Sequence, residues 1–564
     1  MTAPQTAPTA PAASRLATLP RGTFALVAFV AAAWFLTLGL RHLLPSDEGR
    51  YAEIAREMYA SGDWVTIRYN GVKYFEKPPL HLWMTAIAYH LFGVGEWQSR
   101  LWVAISGAIG ILATMVAAKR WYGERVALLA GLVLLAAPTW NIAAHFNSLD
   151  MSVSGALACV LASVLMAQHP DASAAQRRHW MWAAWAAMAA AVLTKGLIGL
   201  VLPGLVLFVY VLLARDWMLL RRLHAGSGSL LFLVIVVPWF VIVSLRNPEF
   251  PSFFFIHEHW QRYTTNVHHR GAPWWYFVPQ LLVGFVPWLA LSWPMARAVR
   301  KDLGGEGFRP ALLLGVWAAV IFVFFSLSGS KLPGYIVPIF PALALLAAPV
   351  LSSIDAKAWR RQIVLTALIV AITLAATPFV ARLGSTGTPN ELYRSYAVWM
   401  AGALALSLGG LALAFRLRHS AGLRSFGVYS VTLFAAITVA LLGHETFGRK
   451  SSGVELAAPI QKVLTPGMPI YSVRMLDHTL PFYLRRATTM VESADELEFG
   501  LTQEPQKWLP SLDAFENAWA SGPPAIAIMS PATHALLERG KVAMVPLARD
   551  ARRVVVTNFP QRQP

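Results

Sequence analysis

Long apolar runs recur along almost the whole chain and constrain its fold more than any other feature. A helix that crosses a bilayer needs about 20 predominantly apolar residues. Of the 564 residues 56% are hydrophobic and only 13% are charged, against about 25% in an average soluble domain. These runs predict an α-helical polytopic membrane protein. We expect thirteen spans, at residues 22–43, 98–118, 126–144, 150–167, 180–194, 197–214, 229–245, 277–296, 310–327, 335–352, 363–383, 396–415 and 426–443.

One apolar run, residues 180–213, is too long for a single span. As one helix it would be about 51 Å long, whereas the hydrocarbon core is about 30 Å thick. We therefore predict a helical hairpin that turns at Thr194, Lys195 and Gly196.

The distribution of Lys and Arg predicts the orientation of the chain. The formal net charge is +18, and basic residues of membrane proteins accumulate in cytoplasmic loops. Every second loop is basic, for example "KRWYGER" and "RAVRKDLGGEGFR". These loops are all cytoplasmic if the N-terminus is cytoplasmic, so we predict that orientation. Residues 1–21, rich in Ala, Pro and Thr at their start, are then a disordered cytoplasmic segment. The C-terminus is expected on the opposite side.

The composition changes at about residue 444, which divides the chain into two predicted domains. Residues 22–443 form the transmembrane domain, with a long first outward loop at 44–97. Residues 444–564 contain the strand-like runs "PIYSVRM", "AIAIMS", "VAMVPLA" and "RRVVVTNF", which predict a small outward-facing α/β domain. The sequence contains no dinucleotide fingerprint, P-loop or Cys/His zinc signature. Neither a nucleotide nor a nucleic acid is therefore an expected partner.

The densest charge cluster, "PSDEGRYAE" at residues 45–53, directly follows the first span. Two interpretations of Asp47 stay open: it caps a helix N-terminus, or it is a carboxylate presented to a substrate at the membrane face. The two are compatible, because a capping residue is also well fixed in space. The spacing of Tyr51, Ile54 and Met58 predicts an apolar helix face. We assign Asp47 and Arg50 to catalysis and Tyr51 to substrate binding.

A second motif, "YNGVKYFEKPPLHLW" at residues 69–83, predicts an Asn-Gly hairpin followed by an extended segment. The two prolines keep Glu76 and Lys77 out of a helix. These residues form either a solvated charged turn or a site in which Lys77 binds phosphate and Glu76 binds a metal or an amine. Tyr74 is assigned to substrate binding. The apolar stretch that follows is too short to span and is expected to lie along the interface.

Charged residues at three other outward turns belong to the same candidate site. Asp150, in "HFNSLDMS", is either a helix cap or a second catalytic carboxylate on the face of Asp47. Lys195 lies in the hairpin turn, and an ionisable residue at that depth is a functional candidate. Lys331 and Tyr335, in "SGSKLPGY", have the same setting.

The outward loop at residues 246–277 is rich in His and aromatic residues. His257, in "HEH", is a candidate ligand for a divalent metal ion together with Glu76, although His is also common in interfacial loops. Arg270 is a candidate phosphate ligand. The "WWY" that follows is typical of an aromatic belt.

Together these motifs resemble a known family. The series D-E-x-R-Y, "YFEKPPL", "HFNSLDMS" and "LTKGLIG" is similar to bacterial membrane glycosyltransferases of the GT-C superfamily, and most closely to the lipid A 4-amino-4-deoxy-L-arabinose transferases. The resemblance covers nearly the whole chain, and the related protein O-mannosyltransferases share parts of it. It implies transfer of aminoarabinose from undecaprenyl phosphate to a lipid A phosphate at the periplasmic face of the inner membrane. Such a reaction confers resistance to polymyxin-type cationic peptides.

The residues fit the chemistry that this resemblance implies. A polyprenyl phosphate leaving group gains charge in the transition state, and Lys77, Lys195 and Arg50 are the cations positioned to stabilise it. The acceptor phosphate is already an anion and scarcely needs a general base. Asp47 is therefore expected to orient the acceptor or to bind the ammonium group of the sugar.

Two other functions remain open at this point. A GT-C enzyme with another acceptor, such as a protein hydroxyl or a different lipopolysaccharide sugar, would share every motif. A transporter of a lipid-linked sugar is disfavoured, because transporters commonly contain internal repeats and place ionisable residues near the midplane. This chain has no obvious repeat, and its unusual charges cluster at one face.

Overall fold

The computed structural model describes residues 21–261, 271–385, 388–418 and 422–560, without the side chains of 21–24 and 259–261. The predicted disordered segment 1–21, apart from Arg21, and the predicted ligand Arg270 lie outside the described residues. Up to Gly443 the described chain is mainly helical. Its α-helices are α1 Arg21–Leu36, α2 Asp47–Ser61, α3 Leu80–Phe92, α4 Glu96–Tyr122, α5 Glu124–Leu135, α6 Pro138–Ala144, α7 Leu149–Gln168, α8 Ala174–Lys195, α9 Ile198–Ala214, α10 Met218–Arg222, α11 Ala225–Arg246, α12 Phe277–Gly284, α13 Ser292–Leu303, α14 Pro310–Leu327, α15 Phe340–Ser352, α16 Ala356–Val380, α17 Asn390–Arg416 and α18 Leu423–Gly443.

The chain is a multi-pass membrane protein, as predicted. Among the described residues, eight helical segments are long and apolar enough to cross a membrane, and up to ten if each of two bent helix pairs counts as one span. Each of the thirteen predicted spans coincides with a helix or with a bent pair. The first is shorter than predicted, because α1 and the 3-10 turn after it end at Gly39, before the charged Arg41.

Two predicted spans are bent rather than straight. Residues 126–144 divide into α5 and α6, at an angle of 70°, and residues 277–296 divide after Gly284, at 85°. Pro138 begins α6, and Pro287 lies in the first turn after Gly284. Proline has no N–H group and clashes with the preceding turn, so each proline begins a new helical segment.

The predicted hairpin is confirmed. α8 ends at Lys195, Gly196 has a φ of 83°, and α9 begins at Ile198. Only glycine adopts this backbone conformation without strain, so the turn is fixed at this position. α8 begins earlier than predicted, because Ser173 and Gln176 form a capping box.

The segment at residues 44–97 folds as the sequence indicates. In α2 the predicted apolar face of Tyr51, Ile54 and Met58 is buried. Two short antiparallel strands follow, β1 Arg68–Tyr69 and β2 Val72–Lys73. Both turn residues between them, Asn70 and Gly71, have positive φ angles of 52° and 78°, as a tight hairpin turn requires.

The C-terminal part alternates helices and strands. Its elements are α19 Glu445–Ser451, α20 Val454–Val463, β3 Ile470–Val473, α21 Leu480–Leu484, β4 Thr489–Val491, α22 Glu498–Gln503, β5 Trp508–Leu509, α23 Leu512–Ser521, β6 Ile526–Met529, α24 Pro531–Arg539, β7 Val545–Arg549 and β8 Val554–Thr557.

These six strands form one sheet in the order β5-β4-β3-β6-β8-β7. The strands β3, β4, β5 and β6 run parallel to one another, whereas β8 runs antiparallel to both β6 and β7. Four strands were predicted, but β4 and β5 were missed because they have only three and two residues.

The C-terminal sheet packs directly onto the segment at residues 44–97. Asn70 forms two hydrogen bonds of 2.7 Å with the backbone of Thr488, and Arg68 forms a 3.0 Å ion pair with Glu504. Gly49 lies against the carbonyl of His478 so closely that a Cβ atom would collide with it. The segments on both sides of β4 are thereby held against the β1–β2 hairpin, and the loop after β3 is held against the start of α2.

Candidate active site

Asp47 is the first residue of α2 and presents its carboxylate at the exposed end of that helix. Its side chain is 41% exposed, and its Oδ1 lies 3.8 Å from Nη1 of Arg50. The preceding Ser46 has a φ of 68° and makes no side-chain capping hydrogen bond. Asp47 is therefore not the N-cap residue, but it lies with Glu48 in the first turn of α2, where acidic side chains interact favourably with the helix dipole. Asp47 stays accessible beside a buried cation.

Arg50 is the cation at the centre of this group. It is only 5% exposed, and its Nη2 lies 2.9 Å from Oε2 of Glu496, in the loop after β4. Its Nε has no hydrogen-bond partner among the described residues. The guanidinium lies 5.8 Å from the ring centre of Tyr51. Glu496 of the C-terminal part therefore binds the Arg50 guanidinium through Nη2, whereas the Nε donor has no partner among the described residues.

Aromatic and imidazole side chains line the same place. The hydroxyl of Tyr69 is hydrogen-bonded to Nδ1 of His478 at 2.8 Å, and the rings of Tyr69 and Tyr74 meet edge to face at 5.6 Å. The Tyr74 hydroxyl is buried without a hydrogen-bond partner among the described residues. Burial and the neighbouring Arg50 lower the pKa of His478 to about 4, so the imidazole is neutral at pH 7.

Asp150 and Lys195 meet as an ion pair, although they are far apart in sequence. Their side chains are 13% and 15% exposed. The Lys195 ammonium also lies 4.5 Å from the ring centre of Tyr335. Gly334 leaves room for the Asp150 carboxylate, since a Cβ there would collide with it. Asp150 makes no capping hydrogen bond at the start of α7, so its capping interpretation is wrong.

Lys331 is near in sequence to Tyr335, but its ammonium is directed into its own loop. Nζ donates to the carbonyl of Ser328 at 2.6 Å, and the residue is 8% exposed. The structure therefore places Tyr335, and not Lys331, against the Asp150–Lys195 pair.

Lys77 and Glu76 form a third group. Nζ of Lys77 lies 3.3 Å from Oε2 of Glu258 and 3.7 Å from Oε2 of Glu76. The side chains of Lys77 and Glu76 are only 13% and 12% exposed, so the solvated-turn interpretation is wrong. The negative charge of Glu76 helps to raise the pKa of Glu496, which is the ion-pair partner of Arg50. The Lys77 group and the Arg50 group therefore interact electrostatically.

The predicted metal ligands do not form a complete ligand set. Within the described part of the chain, no three His, Cys, Asp or Glu side chains converge closely enough to hold a metal ion. His257 stacks on Phe253 with ring centres 5.0 Å apart, and its Nδ1 lies 3.7 Å from Oε1 of Glu258. The described residues therefore do not fit a metal site, and no catalytic step is assigned to a metal.

A buried polar chain holds these groups in place. His81 lies 5.6 Å from the ring of Tyr51 and is hydrogen-bonded to Ser152 on α7 at 2.9 Å and to Asn147 at 3.0 Å. The backbone N–H of Asn147 in turn donates to Oε1 of Glu48 at 3.0 Å. A chain of buried hydrogen bonds thus connects the helices that carry Asp47 and Asp150.

Four side chains of this region were missed by the sequence reasoning. They are His478 and Glu496 in the C-terminal part, Tyr69 in the first loop, and Glu258 beside His257. One signal could have found the first two. Polar residues that follow parallel strands collect at the carboxyl edge of a sheet, and His478 and Glu496 follow β3 and β4.

Two family models match the chain in separate segments. Residues 456–558 match the aminoarabinose transferase C-terminal domain. Residues 76–242 match dolichyl-phosphate-mannose-protein mannosyltransferase. The first model covers the sheet that carries His478, and the second covers Lys77, Asp150 and Lys195.

Known proteins are similar over most of the chain. The undecaprenyl phosphate-α-4-amino-4-deoxy-L-arabinose arabinosyl transferase of Edwardsiella ictaluri is 30% identical over 71% of this chain and 72% of its own length. The protein of the same name from Aeromonas hydrophila is 34% identical, over 58% of this chain and 59% of its own length. A crystal structure is known of ArnT from Cupriavidus metallidurans bound to undecaprenyl phosphate, and its sequence is 54% identical to this chain. The two structures align with a TM-score of 0.93 over 96% of this chain and 99% of that chain.

Proposed function

Since the chain belongs to the family of aminoarabinose transferases, which are membrane glycosyltransferases, we propose that it transfers 4-amino-4-deoxy-L-arabinose from undecaprenyl phosphate to phosphate groups of lipid A. The observation that carries this proposal is the likeness over 99% of the length of a relative crystallised with undecaprenyl phosphate. The proposed location is the periplasmic face of the bacterial inner membrane. The expected consequence is resistance to polymyxin-type cationic peptides, because the added amine reduces the negative charge of lipid A.

The cations of the site support a reaction with a phosphate leaving group. Arg50 is buried and Lys77 is largely buried, each beside a carboxylate, and Lys195 is paired with Asp150. In a site with little water, such charges stabilise the negative charge that develops on the departing polyprenyl phosphate. We assign Lys77 and Arg50 to the donor phosphate, and Tyr51 and Tyr74 to the lining of the donor pocket.

The acceptor side requires little acid–base chemistry. A lipid A phosphate oxygen is an anion and can attack the anomeric carbon without losing a proton. The exposed Asp47 is positioned to orient the incoming sugar through its ammonium, whereas Asp150 keeps the Lys195 ammonium in place. Lys195 then offsets the repulsion between the acceptor phosphate and the leaving phosphate.

We propose the predicted domain division for the same function. Residues 22–443 provide the membrane domain and the reacting groups. Residues 444–564 provide a domain whose His478 and Glu496 contact Tyr69 and Arg50 of the site. Residues 1–21 remain a proposed cytoplasmic segment.

The test is mass spectrometry of lipid A from cells that supply the donor and express the full chain. Wild-type protein should add a pentosamine to lipid A, and Asp47→Ala should abolish the addition. Asp171→Ala is the matched control, since Asp171 is an 80% exposed carboxylate between α7 and α8. The proposal fails if wild-type expression leaves lipid A unmodified. Full activity of Asp47→Ala would refute only the role of that residue.

A second acceptor class is supported by one observation, the match of residues 76–242 to a protein mannosyltransferase model. A chain of this kind would glycosylate a protein hydroxyl and would need Asp47 as a general base. The same cells distinguish the two functions, because glycosylated protein and unmodified lipid A would favour the alternative.

A further inference from the structure

Arg50 is held by a carboxylate from the far end of the chain. Glu496 lies in the loop after β4, and its Oε2 is 2.9 Å from Nη2 of Arg50. The Arg50 side chain is 6% exposed and that of Glu496 is 17% exposed, so both charges are largely withdrawn from water. The second carboxylate, Asp47, is more distant at 3.8 Å. When Glu496 is ionised, the charge of Arg50 is therefore already balanced before any phosphate arrives.

A phosphate and Glu496 compete for this guanidinium. Arginine binds phosphate best through two parallel N–H donors. Nη2 is occupied by Glu496, whereas Nε has no hydrogen-bond partner among the described residues. A phosphate that used the fork of Arg50 would lie beside the Glu496 carboxylate, and two like charges at that distance in a buried site repel strongly.

We propose that Glu496 is the counter-ion of Arg50 in the lipid-free protein and that it takes up a proton when a polyprenyl phosphate binds. The inference rests on the proposed function, since it takes Arg50 as a ligand of the donor phosphate. Glu496 is a positioning residue: it keeps the buried guanidinium aligned and becomes neutral when phosphate replaces it.

The groups around Glu496 favour this proton uptake. Burial raises the pKa of Glu496, Arg50 lowers it, and the carboxylates of Glu76, Asp495 and Asp47 raise it, to about 7. Tyr69 and Tyr74 also face Glu496, and burial raises the pKa of both hydroxyls, so both are neutral. A further titratable neighbour is His478, whose Nδ1 lies 3.5 Å from Oε1 of Glu496. Its pKa is lowered to about 4, and its Nδ1 is engaged by the Tyr69 hydroxyl, so it supplies no positive charge at pH 7.

The sign of the pH effect follows from these neighbours. A bound phosphate takes Arg50 away from Glu496 and adds negative charge, and both changes raise the pKa of Glu496 further. The complex therefore holds more protons than the free protein above about pH 7. Affinity for the phosphate should be constant below that pH and should fall by up to about tenfold per pH unit above it.

The experiment measures binding of a farnesyl methyl phosphodiester to the full-length protein in detergent. This probe contains no sugar, and its phosphate does not titrate between about pH 6 and pH 9. Isothermal titration calorimetry should find the predicted loss of affinity for wild-type protein. Glu496→Gln, which cannot ionise, should bind with little pH dependence and should exceed the wild-type affinity at about pH 8.

The matched control is Asp495→Asn. Asp495 is the neighbouring carboxylate, is exposed, and accepts a hydrogen bond from the Glu496 amide at 2.8 Å, which asparagine can also accept. This variant should retain the wild-type pH slope. A slope that persists in Glu496→Gln would overturn the inference, and so would weaker binding by that variant at about pH 8.

A second readout needs no variant and decides the question if Glu496→Gln does not fold. Calorimetry of the wild-type protein in two buffers of different ionisation enthalpy should detect uptake of up to about one proton per ligand at pH ~8. Binding without proton uptake would overturn the inference. The proposed function would stand if wild-type protein bound the probe without proton uptake but still modified lipid A. Failure of wild-type protein to bind the probe would count against both the inference and the proposed function.

Discussion

Lys195, at the tip of the α8–α9 hairpin, forms an ion pair with Asp150 in the first turn of α7. The Lys195 ammonium also faces the ring of Tyr335, at 4.5 Å from its centre. Three segments that are separated by at least 45 residues in sequence therefore meet at one pair of charges. The pair carries opposite charges with little exposure to water, which makes each partner dependent on the other.

Breaking this pair should be costly to the fold. Asp150→Ala leaves the Lys195 ammonium without its counter-ion, and Lys195→Ala does the reverse. Each should lower stability by about 3 kcal/mol, and the double variant by less than the sum of the two. Thermal unfolding in detergent checks this. The exposed pair Lys119–Glu124 is the control, and its removal should cost under about 1 kcal/mol. Additive effects at Asp150 and Lys195 would contradict the coupling.

Replacement of Lys77 should affect catalysis more than binding of the acceptor. Lys77→Ala removes a largely buried cation from the proposed donor phosphate and should lower kcat/KM by about 100-fold, whereas Lys77→Arg should retain part of the activity. Lys73→Ala is the control, because Lys73 instead pairs with Glu249 at 2.6 Å. The measurement is the initial rate of transfer with purified protein. Equal losses in the Lys73 and Lys77 variants would contradict the assignment.

Gly49 should be indispensable for the contact between α2 and the C-terminal sheet. In Gly49→Ala the new methyl group would collide with the His478 carbonyl and with Thr479, so the two parts must separate. We expect a loss of stability of at least about 1 kcal/mol and a loss of transfer activity. Gly402→Ala should be harmless, because a Cβ at Gly402 meets nothing within 4 Å. Unfolding temperature and transfer rate are the measurements, and a normal Gly49→Ala protein would contradict the packing argument.

The stability of the first loop should depend on the ionisation of Glu57. Burial and the neighbouring Glu53 raise the pKa of Glu57 to about 8, and its Oε2 accepts a hydrogen bond from the Gly71 amide. The native state therefore holds a proton that the unfolded chain releases near pH 4.5. Stability should fall as the pH rises from about 5 to about 8.

Glu57→Gln, which keeps the hydrogen-bond acceptor without the charge, separates this effect from other titrations. Its unfolding temperature should vary less with pH than that of the wild type and should exceed it at about pH 8.5. A parallel pH dependence in the two proteins would show that Glu57 is not the responsible group.

Local sequence signals were sufficient for the elements and insufficient for their partners. The apolar run at residues 180–213 and the Gly196 turn predicted the hairpin, and "YNG" predicted the β1–β2 turn. These features depend on neighbouring residues alone, as backbone conformation does. The bends at Pro138 and Pro287 were missed because apolar composition does not distinguish a straight span from a bent one.

The candidate site could be predicted only in part, because contacts between distant residues leave no local signal in the sequence. Asp47, Arg50, Lys77 and Lys195 could be selected because charges are conspicuous beside apolar spans. Glu496 could not be matched to Arg50, since the two are brought together only when the sheet docks onto α2. Side-chain direction could not be predicted either: the sequence setting of Lys331 resembles that of Lys195, but its ammonium donates to the Ser328 carbonyl.

Reconstituted transfer tests the central proposal most directly. Purified full-length protein would be mixed with undecaprenyl phosphate aminoarabinose and lipid A, and the lipid A would be analysed by mass spectrometry. The proposed function predicts a pentosamine on a lipid A phosphate, with no product from Asp47→Ala and normal product from Asp171→Ala. Unmodified lipid A with wild-type protein that binds the donor would contradict it.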